Sequence, residues 1–466
     1  MGGFFGVIST VDCVHDLYYG TDYHSHLGTR RGGLAVQDGH GIGRTIHNIE
    51  NAQFRSKFHD DLGKLKGGLG LGVISDYEAQ PLLIGSHLGT YAIATVGRIA
   101  NLDRLVKLAL SDHRAHFTEM NRNVVNPTEL VATLINQEES LEAGIAKVQE
   151  IIEGSCSLLL LTDRAIYAGR DRLGRTPISI GKKENAFAVT LESCAFANLG
   201  YHFLRNLGPG EIVRLTVDGI EVLRPPQEKM NICSFLWIYY GYPSSSYEGI
   251  NVEWVRNRCG EALAQRDAVD IDFVAGIPDS GVAHALGYAN QSGKPYRRGF
   301  VKYTPTWPRS FLPPNQQTRD LIAVMKLLPI PEIIQGMRTL WCEDSIVRGT
   351  QLKDTIQRLY ECGAKEVHMR VACPPLLYTC PYLNFSQSRS ELDLAARQAI
   401  LAVQGTAVQS LAVYSQPDSA EYEAMVSQIR QRLRLTSLKY QRMEDMVAAI
   451  GLPRARLCTY CWDGQA

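Results

Sequence analysis

The chain has no surplus of charge of either sign: 48 Lys and Arg stand against 48 Asp and Glu, a formal net charge of zero. That balance argues against a surface built throughout for nucleic acid, although a local basic groove stays compatible with it. No uninterrupted apolar stretch approaches the roughly 20 residues that cross a bilayer, so no membrane span is expected. Met1-Gly2-Gly3 lacks the basic start of a secretory signal. The same start superficially suits N-myristoylation, but Val7 and Ile8 continue a buried-strand pattern and little weight falls on it. The 11 cysteines are odd in number and follow no signal peptide, which fits reduced thiols or metal ligands better than a disulfide framework. No fixed-period repeat is present. What remains is a chain of 466 residues, 45% hydrophobic and 21% charged, read as a cytoplasmic α/β protein of two or three domains.

The first half is rich in short β-like runs: Phe4 to Ser9, Gly33 to Gln37, Leu71 to Ser75, Tyr91 to Val96, Cys156 to Thr162 and Ala186 to Thr190. Helical patterns interrupt them at Ala100 to Ser111, Pro127 to Gln137 (after the N-cap Asn126) and Leu141 to Glu153. Strands in runs with a few helices predict a layered α+β sandwich. Leu223 to Glu228, with two prolines, reads as a linker. Beyond it the order is strand (Asp270 to Gly276), helix (Gly281 to Gln291), strand (Met337 to Cys342), helix (Gln351 to Glu361) and strand (Glu366 to Ala372), the mark of a parallel βαβ sheet. Tyr303 to Thr318, carrying four prolines, reads as a mobile loop over a site, and Ser388 to Tyr440 as polar and helix-like.

The stretch Leu340-Trp341-Cys342-Glu343-Asp344-Ser345-Ile346-Val347-Arg348-Gly349-Thr350 ends an apolar strand in two adjacent acids, then turns through small residues into an amphipathic helix. Unpaired N–H groups at such a helix start, with the helix dipole, favour a bound phosphate. Paired acids at a strand's carboxyl end suit ribose hydroxyls or a hydrated Mg²⁺. The residues alone are read more simply as an acidic turn capping an ordinary helix.

The same stretch resembles the phosphoribosyl-pyrophosphate (PRPP) signature of type I phosphoribosyltransferases, and specifically that of the glutamine PRPP amidotransferases. It departs from Asp-Asp-Ser-Ile-Val-Arg-Gly-Thr only by Glu343. Ile277-Pro278-Asp279-Ser280-Gly281 resembles the family's pyrophosphate-side loop, Gly299-Phe300-Val301-Lys302 its following strand, and Arg309-Ser310-Phe311 the loop that closes on PRPP. Gly169-Arg170-Asp171 with Gly174, and Glu192-Ser193-Cys194-Ala195-Phe196, match late blocks of the amino-terminal domain. The resemblance covers nearly the whole chain, with an insertion around Val403 to Arg430.

The resemblance implies an Ntn-type αββα sandwich over residues 1–230, of class II glutamine amidotransferase type, then a type I phosphoribosyltransferase parallel-sheet domain over residues 231–466. It assigns Glu343 and Asp344 to ribose and Mg²⁺, Ser345, Ile346, Val347, Arg348, Gly349 and Thr350 to the 5′-phosphate, and Asp279 and Ser280 to the substrate loop. Lys302, Arg309 and Lys326 are the candidates to neutralise the leaving pyrophosphate. Two departures remove polar contacts near it: Tyr303 stands where the family usually has Asn, and Val324 where it usually has Arg.

The amino-terminal half departs further. Gly2 stands where the family has the cysteine whose thiolate attacks glutamine, and glycine has no side chain to attack with. Cys13 lies beyond the first strand and is no substitute. The carboxylate clamp is reduced to Ser75-Asp76-Tyr77, although Ala79-Gln80-Pro81-Leu82 survives. The oxyanion block is replaced by Thr95-Val96-Gly97-Arg98, and the amine-binding block by Asn126-Pro127-Thr128-Glu129. This half is therefore not expected to hydrolyse glutamine by the family mechanism.

Cys458-Thr459-Tyr460-Cys461 alone is compatible with a redox pair, half a zinc ribbon or chance. The family's cluster-bearing branch places further ligands where Cys233 and Cys380 fall, which implies a structural [4Fe–4S] cluster, with Zn²⁺ as the alternative. The other seven cysteines read as buried small apolar residues. Two functions stay open: a PRPP-dependent transferase using free ammonia, ammonia from a partner, or another amine; and a non-catalytic PRPP or nucleotide sensor regulating a true amidotransferase. Purine nucleotides and a homo-oligomer are expected from the resemblance alone.

Overall fold

Burial alternates along the Gly3–Ser9 strand: Phe4 and Ile8 point to one core, Phe5 and Val7 to another. The same alternation splits Gly154–Leu161, where Leu159 and Leu161 join the first core while Leu158 and Leu160 join a third. Strands buried on both faces need a layer on each side, and the computed structural model, which describes residues 2–111, 116–121, 123–303, 327–383, 390–405 and 410–465, supplies both.

One antiparallel sheet has the order His202–Asn206, Ser179–Lys183, Ala186–Thr190, Gly3–Ser9, Leu69–Ser75, Arg31–Gln37, Ile42–Asn48. The other runs Gly219–Arg224, Ile212–Thr216, Ile166–Gly169, Gly154–Leu161, Gly89–Ile99, Leu82–Ser86. Their inner faces share one core, with Phe4, Leu71 and Val73 against Ala94, Leu159 and Ile166. Helices Val14–Asp22 and Phe54–Leu62 cover the outer face of the first sheet; Leu102–Leu110, Pro127–Ile135 and Leu141–Ile151 cover that of the second. This is the expected αββα sandwich. Asn126 caps its helix as predicted, accepting from the Thr128 amide at 2.9 Å.

The second architecture is a parallel sheet ordered Phe273–Gly276, Arg338–Glu343, Glu366–Val371, Ser437–Tyr440. Helices Val252–Gln265, Ser280–Ser292, Thr350–Glu361 and Ala420–Leu433 flank it. Two sequence expectations are corrected. Leu223 and Arg224 are the end of a strand rather than a linker, paired through Val222 and Arg224 to Val213 and Ile212. The region Ser388 to Tyr440 is not all helical, because Ser437–Tyr440 adds the fourth parallel strand, with Leu438 and Tyr440 buried. The prolonged loop expected from Tyr303 to Thr318 lies, past Tyr303, outside the described residues. No helix among the described residues is long and apolar enough to cross a membrane.

Candidate active site

The strand Arg338–Glu343 buries Thr339 to Cys342 and delivers Glu343 and Asp344 to its carboxyl end. Gly349 then turns the chain with φ +76°, a left-handed conformation that favours glycine, into helix Thr350–Glu361. Between them Ile346 is buried, and the Val347 carbonyl accepts from the Ala395 amide at 2.8 Å. Ser345 Oγ donates to Asp344 Oδ2 at 2.5 Å. Arg348 lies 3.6 Å from Asp393. A cavity of about 450 Å³ adjoins the loop, lined by Arg348, Gly349, Thr350, Lys353, Gln398 and Arg432 among others.

A second loop meets this strand end. A β-carbon at Gly281 would lie 2.2 Å from the Cys342 carbonyl oxygen, so only glycine permits the approach. Ser280 Oγ thereby reaches Glu343 Oε1 at 3.4 Å, and the Asp344 amide donates to the same oxygen at 3.3 Å. The Pro278–Asp279 peptide is cis, and the Asp279 carboxylate pairs with Lys302 Nζ at the end of strand Phe300–Lys302. Burial, then the neighbouring Asp344 charge, drives the Glu343 carboxyl well above the usual range. The structure therefore brings together Asp279, Ser280, Lys302, Glu343, Asp344 and the loop Ser345 to Thr350. Arg309, Lys326 and Val324 lie outside the described residues.

Arg256 escaped the sequence reading. It is buried, donating to the carbonyls of Trp237 (2.9 Å), Tyr239 (2.8 Å) and Gly241 (2.9 Å). Burial lowers its affinity for its proton, and the Asp344 charge is the leading influence opposing that.

Gly2 stands at the position that the sequence resemblance gives to the amidase nucleophile. Gly2 is buried, and a β-carbon on it would lie 2.2 Å from the Ile74 carbonyl oxygen. Cys13 is buried and its thiol is pushed up to about 12, first by burial and then by Asp12 and Asp16, the reverse of activation. The polar groups of the other altered blocks have internal partners. Asp76 accepts from the Thr29 amide at 2.7 Å, and Glu129 accepts from the Thr118 and Glu119 amides at 2.8 and 2.9 Å. Thr95 and Thr128 join hydroxyls at 2.7 Å.

Four cysteines from distant segments meet at the carboxyl terminus. Cys233 and Cys458 are register partners in a two-strand parallel ladder, and Cys380 shares a hydrogen bond with Cys461. Cys233, Cys380 and Cys458 are buried, Cys461 half-buried, and all four are free thiols. The Leu383 amide points at Cys380 Sγ at 3.4 Å, and Arg175 Nη1 at Cys458 Sγ at 3.0 Å. The hydrogen bond from Cys461 holds the Cys380 thiol below its usual range; Cys461 is driven up by that same contact. Among the described residues, no three His, Cys, Asp or Glu side chains close on a single ion. Arg98, read from sequence as an oxyanion-block replacement, sends Nη1 to the Cys380 carbonyl at 3.1 Å.

Fold and site together define a glutamine-amidotransferase-type sandwich joined to a phosphoribosyltransferase-type sheet, and comparison with known proteins agrees. The model of a family described as a glutamine amidotransferase domain matches residues 71–198. The amidophosphoribosyltransferase of Methanocaldococcus jannaschii is 30% identical over 494 aligned residues, covering 100% of this chain and 97% of that protein. That of Bacillus subtilis is 31% identical, over 84% of this chain and 83% of its own. The solved B. subtilis glutamine PRPP amidotransferase, complexed with ADP and GMP, superposes with a TM-score of 0.85 at 28% identity, covering 99% of this chain and 96% of that one. The chain belongs to the amidophosphoribosyltransferase family.

Proposed function

We propose that the chain binds PRPP with Mg²⁺ and transfers the phosphoribosyl group to ammonia or another amine, releasing pyrophosphate, without hydrolysing glutamine. One contrast supports this reading: Asp279, Ser280, Lys302 and Glu343 lie together, whereas Gly2, which the resemblance sets at the nucleophile's position, has no side chain, and a β-carbon on it would lie 2.2 Å from the Ile74 carbonyl oxygen.

In the proposed reaction the C1–O bond to pyrophosphate breaks, a C1–N bond forms, and the nitrogen sheds a proton. Positive charge gathers on the ribose while negative charge leaves with pyrophosphate, so the chain must hold both in place. The amides from Ser345 to Thr350, at the start of helix Thr350–Glu361, would fix the 5′-phosphate. Glu343 and Asp344 would hold the ribose hydroxyls and Mg²⁺; the ion, when bound, supplies charge neutralisation at the pyrophosphate. Lys302, aimed by Asp279, would sit against the leaving group.

Cys233, Cys380, Cys458 and Cys461 fit a [4Fe–4S] cluster: four thiols from three segments, sheltered, with N–H donors and a cation turned toward sulfur. Bound there, the cluster would tie the carboxyl-terminal tail to the transferase sheet. Zn²⁺ is the alternative occupant. The ADP and GMP in the B. subtilis structure support purine nucleotides as ligands of this chain, and the family resemblance alone implies a homo-oligomer.

The deciding experiment measures pyrophosphate release from PRPP and Mg²⁺ with ammonium, with glutamine and with no nitrogen source. Release with ammonium alone is the expected result. Glutamine-driven release would overturn the reading of the amino-terminal half. Tight PRPP binding without any release would turn the protein into a sensor.

A further inference from the structure

Four arginines are buried among the described residues, Arg170, Arg175, Arg256 and Arg370, and a buried guanidinium cannot shed its proton to escape its charge. Three of them are fully provided for. Arg170 donates to the carbonyls of Thr176, Gly174 and Leu207 and pairs with Glu248. Arg256 takes three carbonyls, and Arg370 pairs with Asp267. Arg175 differs. Among the described residues its guanidinium meets no oxygen: Nη1 points to Cys458 Sγ at 3.0 Å, the group lies 3.5 Å over the Tyr382 ring, and Nε is buried without a partner. No carboxylate of the described residues forms an ion pair with it.

A cation placed in a sheltered site against neutral thiols is unbalanced; against thiolates it is not. We propose that Arg175 is the built-in counter-cation of the group held by Cys233, Cys380, Cys458 and Cys461, setting that group's charge balance from the amidotransferase-like half. This rests on the reading that the four cysteines hold a [4Fe–4S] cluster.

The backbone supports the assignment independently of the side chain. The Arg175 carbonyl accepts from the Cys233 amide at 3.1 Å, so one residue grips two cysteine-bearing segments, its carbonyl on Cys233 and its guanidinium on Cys458. The same loop is pinned by the Asn231 amide on the Leu173 carbonyl at 2.7 Å and by the Asp171 carboxylate on the Thr176 amide at 3.2 Å. The guanidinium is thus aimed by a fixed loop. A fixed cation beside cluster sulfur favours the more negatively charged, reduced state, and it shields the thiolates from displacement.

The test uses the full chain purified without oxygen, as wild type, Arg175→Gln and Arg175→Lys. Gln keeps an N–H donor and loses the charge; Lys keeps the charge and loses the planar fork. The readouts are iron and sulfide per chain, the cluster's midpoint potential, and the half-life of its visible absorption in air. Expected are a more negative potential and about 10-fold faster loss in Arg175→Gln, with Arg175→Lys close to wild type. An iron-loaded Arg175→Gln protein with wild-type potential and half-life overturns the role of Arg175 alone. Wild-type protein lacking iron and sulfide ends the cluster reading and the proposal with it.

Discussion

Gly2 lies so close to Ile74 that a β-carbon built on the glycine would sit 2.2 Å from the Ile74 carbonyl oxygen. The contact follows from strand register, since Gly3 is the direct partner of Ile74 across the Gly3–Ser9 and Leu69–Ser75 pair. A cysteine placed at position 2 would therefore push against backbone rather than a yielding side chain. Gly2→Cys is expected to gain no glutamine-dependent pyrophosphate release and to lose about 1–3 kcal/mol of stability. Glutamine turnover in that variant would show that the Ile74 backbone yields to the added side chain.

His24 ties the same half together. Its Nδ1 faces the Gly20 carbonyl at 2.9 Å, while Nε2 faces the Thr190 hydroxyl at 3.0 Å and the Glu192 amide at 3.3 Å. Burial lowers its pKa to about 4, so the folded state holds it neutral while the unfolded chain protonates near 6.5. A depressed histidine contributes stability that is present above pH 6.5 and lost as the pH falls toward 4, on the order of 3 kcal/mol in all. His284, lowered to about 3 by burial, acts with the same sign. Urea midpoints measured across this range should fall in the wild type and fall less steeply in His24→Gln. Parallel curves would remove His24 from the account.

Where the sequence was legible, the determinants are local. Ala186–Thr190 is an apolar run between turns, and from Arg338 to Glu361 a strand, two acids, a glycine and an amphipathic helix follow one another without interruption. Ser437–Tyr440 was hidden because four residues of mixed polarity, between helices, carry too short a pattern to register. Leu223 and Arg224 were masked by the two prolines that follow them. Arg175 and Arg256 carry no local signal. Arg175 reaches Cys458 across 283 positions, and Arg256, on the Val252–Gln265 helix, feels the charge of Asp344 from a distant part of the chain. The approach of the Ile74 carbonyl to Gly2 likewise needed coordinates, since sequence shows an absent side chain but not what lies beside it.

Lys302 pairs with Asp279 across two exposed side chains, a geometry that contributes little to folding. Its value in the proposed reaction is positional, as a cation held beside the leaving pyrophosphate. Lys302→Met is expected to lower kcat/KM for PRPP by about 10²–10³ while leaving the thermal midpoint unmoved. Loss of stability without a selective loss of turnover would make Lys302 a structural residue instead.

Glu343 gives a pH signature that a glutamate merely capping a helix would not. Burial and the adjacent Asp344 raise its pKa well above the normal carboxylate value, so the free protein holds it protonated through the ordinary carboxylate range. A raised carboxyl stabilises the fold below its unfolded pKa and loses that contribution as the pH climbs to the folded one. Ligation of Mg²⁺ or ribose hydroxyls by the carboxylate must expel that proton, so affinity for Mg²⁺-PRPP should rise with pH through the Glu343 transition. Calorimetry in two buffers of different ionisation enthalpy should register proton release on binding, and Glu343→Gln should abolish that release while weakening binding. Binding with no proton release in the wild type would mean that Glu343 stays neutral beside the ligand and that Asp344 alone carries the charge at this strand end.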